Sequence, residues 1–443
     1  MSFQEGRFWI SDAEKYDGKT VTLQGWVSRK RASGKKLRFL VIRDGTGIMQ
    51  GILFQGECDE NSFDVFDTLV QESAVKVTGI VRKEPRSPGG YEMGIQSVEL
   101  TRGCVDDYPI SPKVHGVEFL LENRHLWIRS SKQWAALRVR SEIIREIHNY
   151  FQNNGFVHFD APILTPSACE GTSTLFHTKY FDQDAFLSQS GQLYAEVGAM
   201  AFGKCYVYGP TFRAEKSKTR KHLTEFWMVE PEVAFANLED IMDLGEDFVE
   251  HVVQTVLETC SEELTTLERD VTKLKKVRAP FPKITYDESL EILKKAGDPM
   301  TWGEDFGAPH EKIIGDSFEK PVFIHHMPSD IKAFYFKHAD KIGEPINGSG
   351  KYALGCDLIA TEGYGEIIGG GQREDDYEAL LSKLKKHDLN IQDYQWYLDL
   401  RKYGSNPHAG FGLGVERTVA WITGVQHVRE TIPFPRMLNH LRP

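Results

Sequence analysis

From Val21 to about Leu100, apolar and polar residues alternate in short runs, "VTLQGWV", "LRFLVIRD", "IMQGILF", "AVKVTGIV" and "YEMGIQSVEL", separated by turn residues. Period-two alternation predicts half-buried strands, and five of them with glycine turns predict either a small closed barrel or a β-sandwich. The stretch 104–128, "CVDDYPISPKVHGVEFLLENRHLWI", has prolines and little periodicity and reads as a hinge. Beyond it the period changes. "KQWAALRVRSEIIREIHNYFQNNGF" repeats Leu137, Ile143, Ile144, Ile147 and Phe151 at helical spacing and stops at Gly155. The next run, "VHFDAPILTP", reads as a strand whose Pro162 donates no ladder bond and so suits a sheet edge or a subunit seam. Strand-like runs continue through "AFLSQS", "CYVYGPTFRAE" and "EFWMVEPEVAF", then a long amphipathic helix is predicted over 238–268. "PVFIHHM", "CDLIAT", "GEIIGGG" and "AGFGLGV" close the series. Strands and helices do not alternate regularly, which disfavours a doubly wound parallel sheet and favours an α+β domain with an antiparallel sheet flanked by helices. The reading is therefore three segments: 1–103, a hinge at 104–128, and 129–443.

Composition narrows the class. The 443 residues are 40% hydrophobic and 26% charged, ordinary for a globular protein of two or more domains. No apolar run reaches membrane-spanning length and "MSFQEGRFWI" lacks the apolar core of a secretory signal, so the cytoplasm is the expected location. Cys58, Cys104, Cys169, Cys205, Cys260 and Cys356 form no C-x-x-C pair, which disfavours a zinc knuckle or a disulfide framework and predicts reduced thiols. A formal net charge of -11 argues against nonspecific coating of nucleic acid while permitting local basic patches.

One such patch lies in the barrel: "SRKRASGKKLRFLVIR" holds seven Lys or Arg, no acid, and Phe39 among them. Cations beside an exposed aromatic form a platform for stacking an unpaired base, which in a barrel of the OB type favours single-stranded nucleic acid; a solvated charged face is the plain alternative. The second patch is "FRAEKSKTRKHLTEFWMVEPE", residues 212–232, where cations precede an aromatic and a run of acids. As a hairpin it brings Arg213 near His222, with Phe226 and Glu230 further along the return strand, a geometry able to grip a polyphosphate and stack a base. There is no G-x-x-x-x-G-K-[ST]. "GFGLGVER", 410–417, begins like a dinucleotide fingerprint, but its third glycine is at the wrong offset and no βαβ unit surrounds it. Its glycines let a strand approach a ligand closely, and Arg417 places a guanidinium at a helix N-terminus, a local field suited to an anion.

Together these segments resemble a known family. "FRAEKSKTRKHLTEF" is similar to motif 2 of the class II aminoacyl-tRNA synthetases, "GFGLGVER" to motif 3, and the helix and strand ending at Pro162 to motif 1. The three occur in family order over nearly the whole chain, and an N-terminal OB-fold anticodon-binding domain narrows the resemblance to the subclass of the Asp, Asn and Lys enzymes. The resemblance implies ATP as substrate, with Arg213 on the α-phosphate and the attacking carboxylate, His222 and Arg417 at the γ-phosphate end, Phe226 and Arg417 sandwiching adenine, and Glu215 among the ATP contacts. Asp357 and Glu366 resemble the pair that carries Mg2+ with the phosphates. Glu170 resembles the carboxylate for the substrate α-amino group, assisted by Ser190 and Gln192, and Arg373 the arginine for the side-chain oxygen. Where aspartate enzymes carry a lysine, this chain has Ala195, and "EFWMVEPE" with Glu230 resembles the asparagine enzymes. An acidic acceptor there binds an amide NH2 and repels a carboxylate, so L-asparagine is the implied amino acid.

For tRNA(Asn), the resemblance implies acceptor-end contacts from Lys216, Lys218, Arg220 and Lys221, stacking of the middle anticodon base on Phe39 with a hydrogen bond from Gln50, a further base contact at Glu92, and backbone contacts from Arg29 and Arg31. It also implies a homodimer. Three rivals remain at this stage: an aspartyl enzyme of relaxed specificity, an asparagine synthetase on the same catalytic fold, and a catalytically silent RNA-binding paralogue.

Overall fold

Along β1 (Thr20–Ser33) inward and outward positions alternate, with Val21, Leu23 and Val27 buried and Thr20, Gln24 and Trp26 exposed. β2 (Leu37–Arg43), β3 (Ile48–Phe54), β4 (Ala74–Lys83) and β5 (Tyr91–Arg102) follow the same rule and add Leu40, Ile42, Met49, Leu53, Val77, Val81, Met93 and Ile95 to one core. The strands close in the order β1-β2-β3-β5-β4, β4 returning antiparallel to β1 and β3 running parallel to β5. This is the barrel rather than the sandwich, and closure removes free edges. A helix, α1 (Glu60–Thr68), intervenes between β3 and β4, capped by Asp59 on the Ser62 amide and burying Phe66. In this computed structural model, which describes residues 7–105, 107–341, 344–346 and 351–443, the chain forms two compact units, Met1–Gly116 and Val117–Pro443.

The expected hinge is helical from Val117: α2 (Val117–Glu122) and α3 (Arg124–Trp127) open the second unit. The cause is Arg124, fully buried, whose guanidinium donates to Gln133 and to the carbonyls of Ile432 and Pro433 at 2.9 and 2.8 Å. α4 (Ser131–Asn153) buries Val139, Ile143, Ile147 and Phe151, while Leu137 and Ile144 are half-buried. Pro162 lies outside any strand, between β6 (Val157–His158) and β7 (Leu164–Thr165), because it lacks the amide that would continue the ladder. β7 joins β8 (His177–Tyr180) and β9 (Gln183–Leu187) in a small sheet, followed by α5 (Gln192–Phe202).

Then come β10 (Lys204–Phe212) and β11 (Glu225–Ala234), a hairpin, and α6 (Leu238–Thr259), begun by an Asn237/Asp240 capping box. The helix foreseen to 268 breaks at Cys260, and α7 (Ser261–Thr266) follows. β12 (Lys283–Thr285), α8 (Tyr286–Lys295), α9 (Ala308–Asp316), β13 (Val322–Pro328), β14 (His338–Lys341), β15 (Glu344–Ile346), β16 (Tyr352–Ala360), β17 (Gly365–Gln372), α10 (Tyr377–Lys386), α11 (Gln395–Lys402), β18 (His408–Gly414) and α12 (Val415–Thr423) complete the unit. The sheet runs β12-β13-β16-β17-β18-β11-β10-β6, with β14 attached at β16 and β15 paired to β14. It is antiparallel from β13 to β10 and gains parallel neighbours only at its ends, β12 on β13 and β6 on β10.

α4 and α6 contribute Ile143, Phe151, Phe248 and Val252 to a core with Val229, Phe323, Leu358 and Leu413 of the sheet. Alternation therefore turns Phe226, Met228, Glu230 and Glu232 of β11 to the opposite face. Among the described residues no helix is long and apolar enough to cross a membrane, and the cysteines are free thiols, four of them buried.

Candidate active site

β10 and β11 pair in continuous register from Lys204–Val233 to Phe212–Glu225, and the Arg213 amide extends the ladder by donating to the Thr224 carbonyl at 3.0 Å. Arg213 thus leaves the strand end held on its backbone, its guanidinium 5.4 Å from the Phe226 ring centre. Its Nε is buried without a hydrogen-bond partner among the described residues. Burial works against the charge, but Glu170, Tyr335 and Glu215 outweigh it and hold the guanidinium above its ordinary range.

Two cavities meet at this arginine. One, of about 210 Å³, is lined by Glu215, His222, Phe226, Gly414 and Arg417; the other, of about 290 Å³, by Glu170, Ser190, Gln192, Glu230, Asp357 and Arg373. Arg213, Met228, Glu366 and Gly412 line both. Gly412 faces Met228 and Gly414 has open space where a Cβ would stand, so β18 forms a low floor. At its end α12 begins, Arg417 in its first turn donating to the Glu366 carbonyl. Glu416 turns inward to Arg140 of α4 at 2.7 Å and accepts from the Trp227 amide at 2.9 Å, fixing helix to sheet. His222 accepts or donates at Nδ1 with Thr219 and Ser217, and burial with the nearby Arg417 lowers its basicity, favouring the neutral ring.

In the second cavity Glu230, 2% exposed, accepts from the Ser190 hydroxyl and, at 2.8 Å, from the Gly191 amide. The Gln192 amide donates to that same hydroxyl oxygen at 3.1 Å, which directs its proton to Glu230. Ser190 thus bonds Glu230 in this cavity, which Glu170 also lines. Burial raises the Glu230 carboxyl, and the two donors work against that rise. Glu170 accepts from the Tyr335 hydroxyl at 2.9 Å. Arg373 is 1% exposed and clamped by Glu232, its Nε 3.1 Å from one carboxylate oxygen. Burial opposes its charge and Glu232 more than restores it.

Behind Gln192, whose side-chain Nε2 donates to Glu196 at 3.2 Å, lies a fully buried network: Glu196 accepts from Tyr397, Arg401 and His408.

Asp357 of β16 and Glu366 of β17 converge over Gly369, where a Cβ would stand 2.7 Å from Glu366 Oε1 and 3.7 Å from Asp357 Oδ1. Burial, then the neighbouring Asp357, pushes the Glu366 carboxyl up to about 7. Two carboxylates crowded in this way fit a hard divalent cation arriving with phosphate. Asp357 also accepts from Lys332 at 2.9 and 2.8 Å.

Asp305, Lys332 and Tyr335 line this cavity and were not singled out from the sequence. "SDIKAFYF" has neither periodicity nor a recognisable spacing, and only the fold brings it across from β11. Lys216, Lys218 and Arg220 are exposed, whereas Lys221 turns inward to Glu311 at 2.9 Å, so it belongs to the cavity wall and not to the outer basic loop.

In the first unit strand register collects the remaining residues. Arg29, Val41, Gln50 and Glu92 are consecutive partners across β1, β2, β3 and β5, and Arg31, Phe39, Ile52 and Gly94 form the next row on the same face. The Arg31 guanidinium lies 4.7 Å from the Phe39 ring centre. Phe39, Gln50 and Glu92 are half-buried and both arginines exposed.

Comparison with known proteins agrees with this architecture. Residues 116–438 match the class II tRNA synthetases (D, K and N), and 21–101 match the OB-fold nucleic acid binding domain. An asparagine--tRNA ligase of Koribacter versatilis is 52% identical over 442 residues, 98% of each chain. The crystal structure of asparaginyl-tRNA synthetase from Pyrococcus horikoshii complexed with asparaginyl-adenylate superposes with a TM-score of 0.93 at 42% identity, covering 99% of this chain and 100% of that one. The Entamoeba histolytica asparaginyl-tRNA synthetase in complex with asparaginyl-adenylate gives 0.87 at 31% identity, covering 99% of each. The chain thus belongs to the class II tRNA synthetases of the D, K and N group and, within it, to the asparagine--tRNA ligases.

Proposed function

We propose that the cavity bounded by Phe226 and Arg417 receives ATP, that the cavity bounded by Glu170, Glu230 and Arg373 receives L-asparagine, and that reaction occurs where they join at Arg213. The junction is the observation that carries this reading: an amino-acid carboxylate and an α-phosphate brought in from the two sides meet at one guanidinium. The carboxylate, already ionised, attacks the α-phosphorus in line, the bond to the β-phosphate oxygen breaks, and pyrophosphate leaves. No side-chain base is required. Arg213 spreads the charge developing on the α-phosphate, and the alignment itself supplies much of the rate. Phe226 and the Arg417 guanidinium plane hold the adenine, with Glu215 and His222 on the wall beside them. Asp357 and Glu366 would hold Mg2+, which when bound neutralises phosphate charge. The terminal adenosine 3'-OH of tRNA(Asn) then takes the asparaginyl group from the adenylate, and AMP leaves.

Selection of the amide follows from the charges at the far end of the cavity. Glu232 already pairs with Arg373, position 195 is alanine, and Glu230 lines the same cavity. A carboxylate tip would meet that charge without a compensating cation, whereas an amide donates to it. Glu170, oriented by Tyr335, receives the α-ammonium group.

The outer rows of the barrel read the anticodon, Phe39 stacking a base, Gln50 and Glu92 bonding base edges, and Arg29 with Arg31 meeting phosphates. Lys216, Lys218 and Arg220 meet the acceptor end. The enzyme acts as a cytoplasmic homodimer. The deciding experiment is ATP-pyrophosphate exchange with asparagine and with aspartate: strong exchange with asparagine alone is expected, and strong exchange with aspartate alone would refute the reading.

A further inference from the structure

Lys332 follows the short turn Ser329–Ile331 and enters the amino-acid cavity from outside the sheet. Its ammonium donates to both Asp357 oxygens, at 2.9 and 2.8 Å, with the lysine side chain 17% and the aspartate 10% exposed. An ion pair this sheltered from solvent is only weakly screened. Asp357 is also one of the two carboxylates that converge over Gly369. The same group therefore faces two claims, a fixed ammonium supplied by the chain and a divalent cation delivered with nucleotide. The cavity carries Glu170, Glu230, Asp305, Asp357 and Glu366 against Arg213, Lys332 and Arg373, an excess of acid that would attract a divalent ion on its own.

We propose that Lys332 is a built-in counter-cation that competes with the divalent ion for Asp357, so that the acidic pair holds a metal firmly only when ATP phosphates supply further ligands. This rests on the reading of Asp357 and Glu366 as the cation site. Lys332 is in this role a positioning residue: it keeps Asp357 matched in charge and in place over Gly369, and yields one or both oxygens when metal and nucleotide arrive together. Coupling cation capture to nucleotide keeps a lone ion from occupying the junction through which the amino-acid carboxylate must approach the α-phosphate.

The test is Mn2+ binding to the full-length protein followed by electron paramagnetic resonance, with and without ATP, which reads occupancy directly and needs no turnover. Without ATP, Lys332→Met should bind Mn2+ at least tenfold more tightly than the wild-type chain, because a unit charge is removed within a few ångströms of the site. The double variant Lys332→Met/Asp357→Asn should lose that gain. A gain below twofold would overturn the proposal, as would a gain that persists in the double variant, which would mark a general field effect instead of competition for Asp357. If thermal melting shows that the methionine variant is unfolded, Lys332→Gln gives the same reading with a polar side chain. Glu366→Gln separates the two levels: loss of ATP-dependent Mn2+ binding in this variant keeps the cation site whatever Lys332 does, and retention would remove the site itself and the proposal with it.

Discussion

At Glu230 the Ser190 hydroxyl and the Gly191 amide each take one carboxylate oxygen, which fixes the group in the cavity wall. Glu230→Gln should therefore keep the shape and lose the discrimination. A lost charged hydrogen bond of about 1–3 kcal/mol predicts a fall of roughly ten- to a hundredfold in kcat/KM for asparagine. Aspartate, no longer repelled, should lose less, so the ratio of the two exchange rates narrows; a ratio that stays fixed would show that Glu230 does not read the side chain.

A second residue-scale prediction concerns His326, 7% exposed, with positive φ of 56° and its Nδ1 2.6 Å from that of His325. Burial, then His325, lowers it to about 4 from an ordinary 6.5. The unfolded chain binds this proton first, so the contribution to stability is complete above pH 6.5 and is lost as pH falls toward 4, at most about 3 kcal/mol. His326→Asn tolerates the left-handed backbone and does not titrate there. The acid limb of a denaturant-unfolding profile should flatten between those values in this variant.

At the scale of elements, the site is a product of register. β11 and β18 pair Met228 with Gly414 and Glu232 with Gly410, and β17 pairs Gly370 with Phe411. A Cβ at Gly370 would lie 2.6 Å from the Gly410 carbonyl, a backbone group that cannot swing away. Gly370→Ala should cost about 1–3 kcal/mol, visible in denaturant unfolding, and exchange activity should fall with it because the floor beneath both cavities shifts.

The supporting network is more demanding. Glu196 and Arg401 are both without side-chain exposure, and burial alone would protonate Glu196, but Arg401 and His408 hold its carboxyl below the ordinary range. Arg401→Met leaves that acid short of a partner and should destabilise by about 3–5 kcal/mol.

Much of this layer was legible in the chain. The alternating runs mark the five barrel strands, and the glycine and charge patterns of 212–232 and 410–417 mark both cavity walls. The rest was hidden for identifiable reasons. α1 is a short helix between strands, with only Ser62 and Phe66 buried. α2 and α3 depend on a buried Arg124 that finds its carbonyls some three hundred residues away. Lys221 belongs to a run of cations, and only its partner Glu311 tells it apart from the exposed ones. Lys332 meets Asp357 from a segment with no pattern of its own. Long-range electrostatic pairing leaves no local trace, whereas periodicity does.

For the whole molecule, the division into Met1–Gly116 and Val117–Pro443 separates two kinds of chemistry. Every residue assigned to adenylate formation lies in the second unit, and the rows containing Phe39, Gln50 and Glu92 lie in the first. Phe39 stands beside Arg31 on paired strands, the guanidinium packed against its ring. Base stacking on an aromatic contributes about 1–3 kcal/mol. Phe39→Ala should then raise the tRNA concentration needed for half-maximal charging by roughly five- to a hundredfold, while exchange of pyrophosphate in the absence of tRNA stays within twofold of the wild-type rate. Arg213→Ala gives no such separation, since removal of the guanidinium at the cavity junction should lower exchange by about a hundred- to a thousandfold and charging along with it. Measured side by side, the two variants make the assignment of tasks to units a quantitative matter: equal losses in both assays for Phe39→Ala would mean that the barrel contributes to adenylate formation itself, and the separation argued from the strand rows would fail.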